Sequence, residues 1–122
     1  MTASDHAVEL LAVAARAADA KNAENPVALD VSGPLPFTDV FLLVSGRNER
    51  QVVAIAEEVE DLLLQHGAKA VRREGRTEGR WILLDFGDLV VHVFHEDERM
   101  FYALERLWSD CPVLPLPDFE SH

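Results

Sequence analysis

In this 122-residue chain, three aspartates and one histidine on or beside predicted strands could together support metal-dependent chemistry. Side-chain alternation along predicted strands can place Asp30, Asp39 and Asp85 on the sheet face that also carries His92. Carboxylates clustered in this way can hold Mg²⁺ for phosphoryl transfer. Two-metal chemistry typically uses carboxylates at positions i and i+2 of one strand, but Phe41 stands two residues after Asp39. The pattern therefore lacks a partner carboxylate and argues against catalysis.

Other reactive residues also lack the neighbours that their chemistry requires. His92 and His95 are three apart on a predicted strand, so they point to opposite faces, and no second His or Cys stands at zinc-site spacing. Cys111 precedes a proline and has no base near it in sequence. Ser45-Gly46-Arg47 joins a strand to a helix, but a single glycine does not make a phosphate loop. The sequence thus predicts no catalytic residue, metal ion or cofactor.

The stretch from Arg80 to Phe94 predicts a β-hairpin, because two apolar runs flank Gly87-Asp88, a two-residue loop that opens with glycine. Directly paired residues share a face. One face is entirely apolar and is predicted to be core. The other, here called the mixed face, carries Trp81, Leu83, Asp85, Val90, His92 and Phe94. Its apolar side chains would form a contiguous patch typical of a protein interface, although cover by a helix or by the tail of the same chain explains them equally well.

The remaining pattern predicts the elements that surround this hairpin. Helical spacing of apolar residues indicates helices over residues 5–21, from Gly46 or Asn48 to Gly67, and over residues 98–108. Strands are expected at residues 27–31 and 39–44, with a basic edge strand at 68–73. The predicted fold class is α/β (α+β), with a mixed sheet of about five strands and helices packed on it. One domain spans residues 1–112, and a flexible, proline-containing tail follows over residues 113–122.

Charge and composition narrow the class of partner. The chain has 22 acidic and 11 basic residues and a formal charge of −11. Since affinity for nucleic acids depends on Lys and Arg, free RNA or DNA is a poor partner, and a basic protein is more natural. An equally good alternative is that the acidic residues only keep the protein soluble. With one cysteine, no signal sequence and no apolar run near a membrane-spanning length, the sequence favours a cytoplasmic protein without a membrane segment.

Several runs in order resemble the ribosomal silencing factor family, also called Iojap or RsfS. The resemblance covers about residues 5–112. The runs that carry it are DVFLLVSG at 39–46, RQVVAIA at 50–56, REG at 73–75, GRWILLDFGD at 79–88, VVHVF at 90–94 and RMFYALERLWSD at 99–110.

This resemblance implies a nucleotidyltransferase-like fold that lacks the catalytic carboxylates, and a protein that is not an enzyme. It implies binding to ribosomal protein fourteen of the large ribosomal subunit, at the face where the small subunit docks. Occupying that face would block subunit joining and silence translation, in starvation or during large-subunit maturation. The family also tends to form homodimers when free.

A partner surface follows as a hypothesis from the mixed face and the resemblance together. It combines hairpin residues with residues of the third predicted helix, namely Trp81, Leu83, Asp85, His92, Tyr102 and Glu105. Arg47 and Arg50 could add a peripheral contact to rRNA phosphates. The alternative is an active nucleotidyltransferase or nucleotide-binding enzyme, which Mg²⁺-dependent thermal stabilisation by nucleoside triphosphates would reveal.

Overall fold

The sheet and the helices were obtained from a computed structural model, which describes residues 3–75, 79–98 and 110–116. Within these ranges the strands form one sheet in the order β3-β4-β5-β2-β1-β6. β2 and β5 pair in parallel and the other neighbours are antiparallel. The helices are α1 (Asp5–Ala20) and α2 (Glu49–Gln65); the strands are β1 (Glu24–Asp30), β2 (Val40–Gly46), β3 (Arg72–Glu74), β4 (Trp81–Asp85), β5 (Leu89–His95) and β6 (Val113–Leu114). The predicted mixed α+β sheet is confirmed, with one strand more than expected.

Both described helices begin where their capping residues predict. The Ser4 side chain caps α1 by accepting a hydrogen bond from the Ala7 N–H, and Asn48 caps α2 through the Gln51 N–H. Gly67 follows α2 with a φ of 91°, the left-handed conformation that ends many helices. The predicted apolar stripe of α2 is buried, namely Val52, Ile55, Ala56, Val59 and Leu63.

The two helices pack together on one face of the sheet and enclose the main core. Small side chains such as Ala14 and Ala17 line the buried side of α1, which contacts both α2 and β2. The fully apolar hairpin face joins this core, as predicted. The sheet residues in this core include Leu42 and Val44 of β2 and, from the hairpin, Ile82, Leu84, Leu89, Val91 and Val93. The mixed face therefore lies on the side of the sheet away from α1 and α2.

The hairpin has the register that the sequence predicts. Trp81 lies opposite Phe94, and the pairing continues to Asp85 opposite Val90. The Phe86 N–H donates to the Leu89 carbonyl at 2.8 Å and closes the loop. Gly87 has a φ of 89°, which suits the first central position of a II′ turn. The mixed face thus has the composition that alternation predicts.

Three boundaries differ from the sequence-based expectation. β1 starts at Glu24 rather than residue 27, because a register shift between Glu24 and Val27 accommodates Pro26. The predicted edge strand at 68–73 is the short strand β3, and it does lie at the edge of the sheet. Val113 and Leu114, expected in a flexible tail, pair instead with Leu29 and Ala28 of β1. Two residues are enough for this pairing, and Pro112 and Pro115 limit its length.

The third predicted helix lies almost entirely outside the described residues. Backbone of helical type is present at residues 96–98, just after β5. Residues 117–122 of the predicted tail also lie outside, so the division into a domain and a tail stays a prediction, as does the nucleotidyltransferase-like arrangement. In the described ranges, neither helix has both the length and the apolar character needed to cross a membrane.

Candidate partner-binding surface

The mixed face is buried on β5 and partly exposed on the neighbouring strand β4. On β5, Phe94 and His92 expose only 0% and 5% of their surface. On β4, Trp81, Leu83 and Asp85 are partly exposed. Accessible surface on this face therefore centres on β4.

A second, smaller core cluster explains why β5 is covered. Phe94 packs with Leu43 of β2 and Leu29 of β1, and Trp81 and Phe41 border this cluster. Of the two interpretations that the sequence left open, cover within the same chain holds for the β5 residues Val90 and Phe94, which are buried. Strand order cannot be derived from the sequence pattern, so the pattern could not indicate that β2 and β1 extend the mixed face beyond β5.

The edge strand β3 adds charged groups beside β4. Arg72 lies opposite Asp85, and Glu74 lies opposite Leu83. Opposite residues share a face, so these two exposed side chains border the accessible part of the mixed face. Sequence reasoning treated this strand only as a protected edge. The signal it missed was that Arg72 and Glu74, which carry opposite charges, stand two residues apart and therefore share a face.

His92 is the most unusual polar group of the mixed face. Its Nδ1 lies 3.2 Å from the Trp81 Nε1, whose N–H it accepts. Its Nε2 therefore carries the proton, and among the described residues no atom pairs with it. Burial lowers the pKa of His92 to about 4, so the ring is neutral at physiological pH. A neutral, buried ring that binds Trp81 can act on a partner only through Trp81.

Asp85 has a structural task in the hairpin turn. Its Oδ1 accepts the Gly87 N–H at 2.8 Å, which fixes the start of the two-residue loop. The side chain is still partly exposed beside Arg72. It can therefore contact a partner while it holds the turn.

The other two aspartates do not join Asp85 and His92. The Asp30 carboxylate accepts the Ala3 N–H at 2.8 Å and both the N–H and hydroxyl of Ser32. Asp39 accepts the Ser4 N–H, also at 2.8 Å. Burial alone would raise the pKa of Asp30, but the hydrogen bonds from Ser32 and Ala3 outweigh it and lower that pKa. These carboxylates anchor the start of α1, which covers the opposite face.

No metal centre forms from these groups. Across residues 3–75, 79–98 and 110–116, no set of three His, Cys, Asp or Glu side chains is arranged to hold a metal ion. The predicted cluster of Asp30, Asp39 and Asp85 is therefore not assembled. Asp30 and Asp85 are the last residues of β1 and β4, and Asp39 stands just before β2, so all three lie at strand ends, where a side chain can reach past the end of the strand.

One group of acidic side chains lies on α2, away from the mixed face. A groove of about 620 Å³ runs along the outer side of α2, with Glu57, Glu58 and Asp61 facing Lys21 and Arg50. Arg47 pairs with Glu24 at 2.6 Å, and the hydrogen bond that the guanidinium donates to the Glu24 carboxylate raises the pKa of Arg47. Of the predicted partner residues, Tyr102 and Glu105 lie outside the described ranges.

A glycine holds β3 close to the backbone of Trp81, and this suggests a direct test. Gly75 has a φ of 82°, and an added Cβ would overlap the Trp81 carbonyl oxygen. We expect Gly75→Ala to lower the free energy of unfolding by about 2 kcal/mol, because strain at positive φ adds to the overlap. Urea titration measures this loss.

Gly33→Ala is the matched control for that substitution. Nothing lies within 4 Å of a Cβ at Gly33, so the change should stay within about 0.5 kcal/mol of wild type. Equal stability of the two variants would contradict the close approach at Trp81.

Comparison with known proteins assigns this chain to a family. A family model described as "Ribosomal silencing factor during starvation" matches residues 4–122. The chain is 47% identical over 107 residues to the ribosomal silencing factor RsfS of Bacillus subtilis, covering 88% of this chain and 91% of that protein. A crystal structure from Bacillus halodurans is similar with a TM-score of 0.80 and 46% identity, covering 89% of this chain and 99% of that one.

A more distant relative is named for ribosome assembly. The mouse protein "Mitochondrial assembly of ribosomal large subunit protein 1" is 27% identical over 92 residues, which cover 73% of this chain and 40% of that protein. The match over nearly the whole chain and the 47% identity confirm the expected resemblance. The chain belongs to the ribosomal silencing factor family, whose members regulate translation through the ribosome.

Proposed function

We propose that this chain binds the large ribosomal subunit through ribosomal protein fourteen and sterically prevents the small subunit from joining. Translation is silenced because a large subunit in this complex cannot form a complete ribosome. The same complex would form in starvation or while the large subunit matures. The name of the mouse relative, which refers to assembly of the large subunit, supports the second setting.

The observation that carries this proposal is the accessible part of the mixed face. α1 and α2 pack on the other face of the sheet, so they leave β4 uncovered. Trp81 and Leu83 are partly exposed there, beside the charged edge strand β3. Large apolar side chains bordered by polar groups are typical of a protein interface.

The proposed partner surface consists of Trp81, Leu83 and Asp85, with Tyr102 and Glu105 from the segment after β5. His92 supports this surface from beneath. A protein partner fits better than rRNA alone, because a formal charge of −11 repels phosphates. Arg50 could still make a peripheral contact to rRNA, whereas Arg47 would first have to leave Glu24.

The proposed mechanism has no chemical step. Asp30 and Asp39 bind backbone N–H groups at the start of α1, and Asp85 binds its own turn. These carboxylates are therefore occupied with structural hydrogen bonds. We further propose a cytoplasmic protein that forms a homodimer when it is free of the ribosome.

Co-sedimentation with isolated large subunits tests the proposal. We expect the chain to sediment with large subunits and to reduce the formation of complete ribosomes when small subunits are added. Prior addition of small subunits should in turn exclude the chain. Co-sedimentation that small subunits leave unchanged would contradict the steric mechanism.

A matched pair of variants locates the contact. Leu83→Asp places a charge on the accessible mixed face, where we expect affinity for large subunits to fall at least about tenfold. Leu64→Asp makes the same change on the exposed end of α2, where Leu64 is 57% exposed, and should leave affinity unchanged. Equal binding by the two folded variants would contradict this surface.

A further inference from the structure

The indole of Trp81 is held from inside the protein. Its Nε1 lies 3.2 Å from the Nδ1 of His92, and the ring centroids of the two side chains are 6.1 Å apart. Trp81 is partly exposed, whereas His92 exposes only 5% of its surface. The hydrogen bond therefore joins a residue on the accessible surface to one in the interior.

The imidazole has little freedom to move. Phe41 contacts it edge-on with ring centroids 4.9 Å apart, and the Phe94 ring lies nearly parallel to it at 6.0 Å. Leu83 and Leu43 flank it in the sheet, one on each neighbouring strand. A ring confined in this way presents its Nδ1 lone pair in a fixed direction.

A purely packing role does not explain the choice of histidine. Among the described residues the Nε2 has no hydrogen-bond partner, and a buried polar atom without one is unfavourable. An apolar side chain of similar size would avoid this cost. What the histidine adds is an acceptor at Nδ1, directed at the Trp81 N–H.

We propose that His92 is a positioning residue for the partner surface, since its Nδ1 fixes the Trp81 indole in the orientation that docks on the partner. This inference rests on the proposed function, because it presumes that Trp81 contacts the large subunit. His92 itself touches no partner. It acts by removing alternative rotamers of Trp81 before binding, which lowers the entropic cost of association.

Two substitutions of equal shape separate the acceptor from the packing. Leu and Asn branch alike at Cγ, but only Asn carries an oxygen near the position of the imidazole Nδ1. We expect His92→Leu to weaken binding to isolated large subunits about tenfold. His92→Asn should stay within about threefold of wild type, because it restores the acceptor.

A double-mutant cycle tests whether the effect passes through the indole N–H. Trp81→Phe keeps an aromatic ring but has no N–H to donate. In that background His92→Leu should change affinity less than about twofold, since no hydrogen bond remains to lose. An equal loss in both backgrounds would mean that His92 only supports the fold, and would overturn the proposal.

A spectroscopic measurement without any partner distinguishes failure of this inference from failure of the proposed function. The Trp81 indole N–H gives a resonance in a ¹H–¹⁵N spectrum, identified by its loss in Trp81→Phe. We expect it to shift and to exchange faster with solvent in His92→Leu, but not in His92→Asn. An unchanged resonance in His92→Leu overturns the positioning role. A changed resonance with wild-type affinity in both Trp81→Phe and Trp81→Ala overturns the docking role of Trp81 instead.

Discussion

Lowering the pH from about 7 to about 4 is expected to destabilise the wild-type chain by about 3 kcal/mol more than a His92→Leu variant. Burial holds the pKa of His92 at about 4 in the folded chain, against an ordinary value of 6.5. Each pH unit between these values is worth about 1.4 kcal/mol, which gives the expected total. The contribution is large because the ring is almost fully buried among Phe41, Phe94 and Leu43.

The sign of the effect follows from proton uptake. Below about pH 6.5 the unfolded chain binds a proton at His92 that the folded chain does not, so acid favours unfolding. The loss ends near pH 4, where both states are protonated. Asp30 contributes in a separate window, because its pKa is lowered from 3.8 and its stabilisation is lost only in stronger acid.

Urea titrations at several pH values measure this dependence. Carboxylates titrate in both proteins, so the difference between wild type and His92→Leu isolates the imidazole. Parallel curves for the two proteins would show that His92 titrates normally in the folded chain. The His92→Asn variant should follow His92→Leu in this experiment, although the two differ in their effect on Trp81.

The hairpin shows what local sequence can determine. A two-residue loop that begins with glycine allows the flanking strands to pair in only one register. Alternation then assigns every side chain to a face, and the pairs from Trp81–Phe94 to Asp85–Val90 are those expected. The helix caps at Ser4 and Asn48 are equally local, since each side chain accepts a hydrogen bond from an N–H three residues later.

Which residues of the mixed face are buried depends on long-range contacts that local sequence patterns do not encode. Leu43 lies opposite His92 only because β2 pairs in parallel with β5, although 49 residues separate the paired positions in the chain. That pairing, with β1 beyond it, encloses Phe94 and leaves Trp81 at the border. Alternation therefore predicts which face of the sheet a side chain lies on, but whether that side chain is buried depends on the order of the strands.

Long-range contacts also decide where the carboxylates of Asp30 and Asp39 lie, which alternation could only place on a face of the sheet. Asp30 and Asp39 reach backbone N–H groups 27 and 35 residues earlier in the chain. Nothing in the local sequence marks such a distant donor. The pairing of Val113 and Leu114 with β1 is a long-range contact of the same kind, formed where the prolines suggested only an extended tail.

Replacing Trp81 by alanine is expected to weaken binding to large ribosomal subunits about 100-fold, close to 3 kcal/mol. Tryptophan is among the residues that contribute most at interfaces, especially beside a border of polar groups. Trp81 combines partial exposure with a rigid base, since its ring lies 5.1 Å from that of the fully buried Phe94. Such a side chain can bury its remaining surface in a partner without losing much conformational freedom.

The substitution also removes packing inside the chain, so binding and folding must be measured separately. Trp81→Phe retains most of the contact with Phe94 and should lose clearly less affinity than Trp81→Ala. Val8→Ala, at an exposed position of α1 on the far side of the sheet, provides a control that should bind as wild type does. Affinities are compared by co-sedimentation at temperatures where circular dichroism shows each variant folded. If folded Trp81→Ala binds within about threefold of wild type, the partner contacts a different part of the molecule, and the groove along α2 becomes the next surface to test.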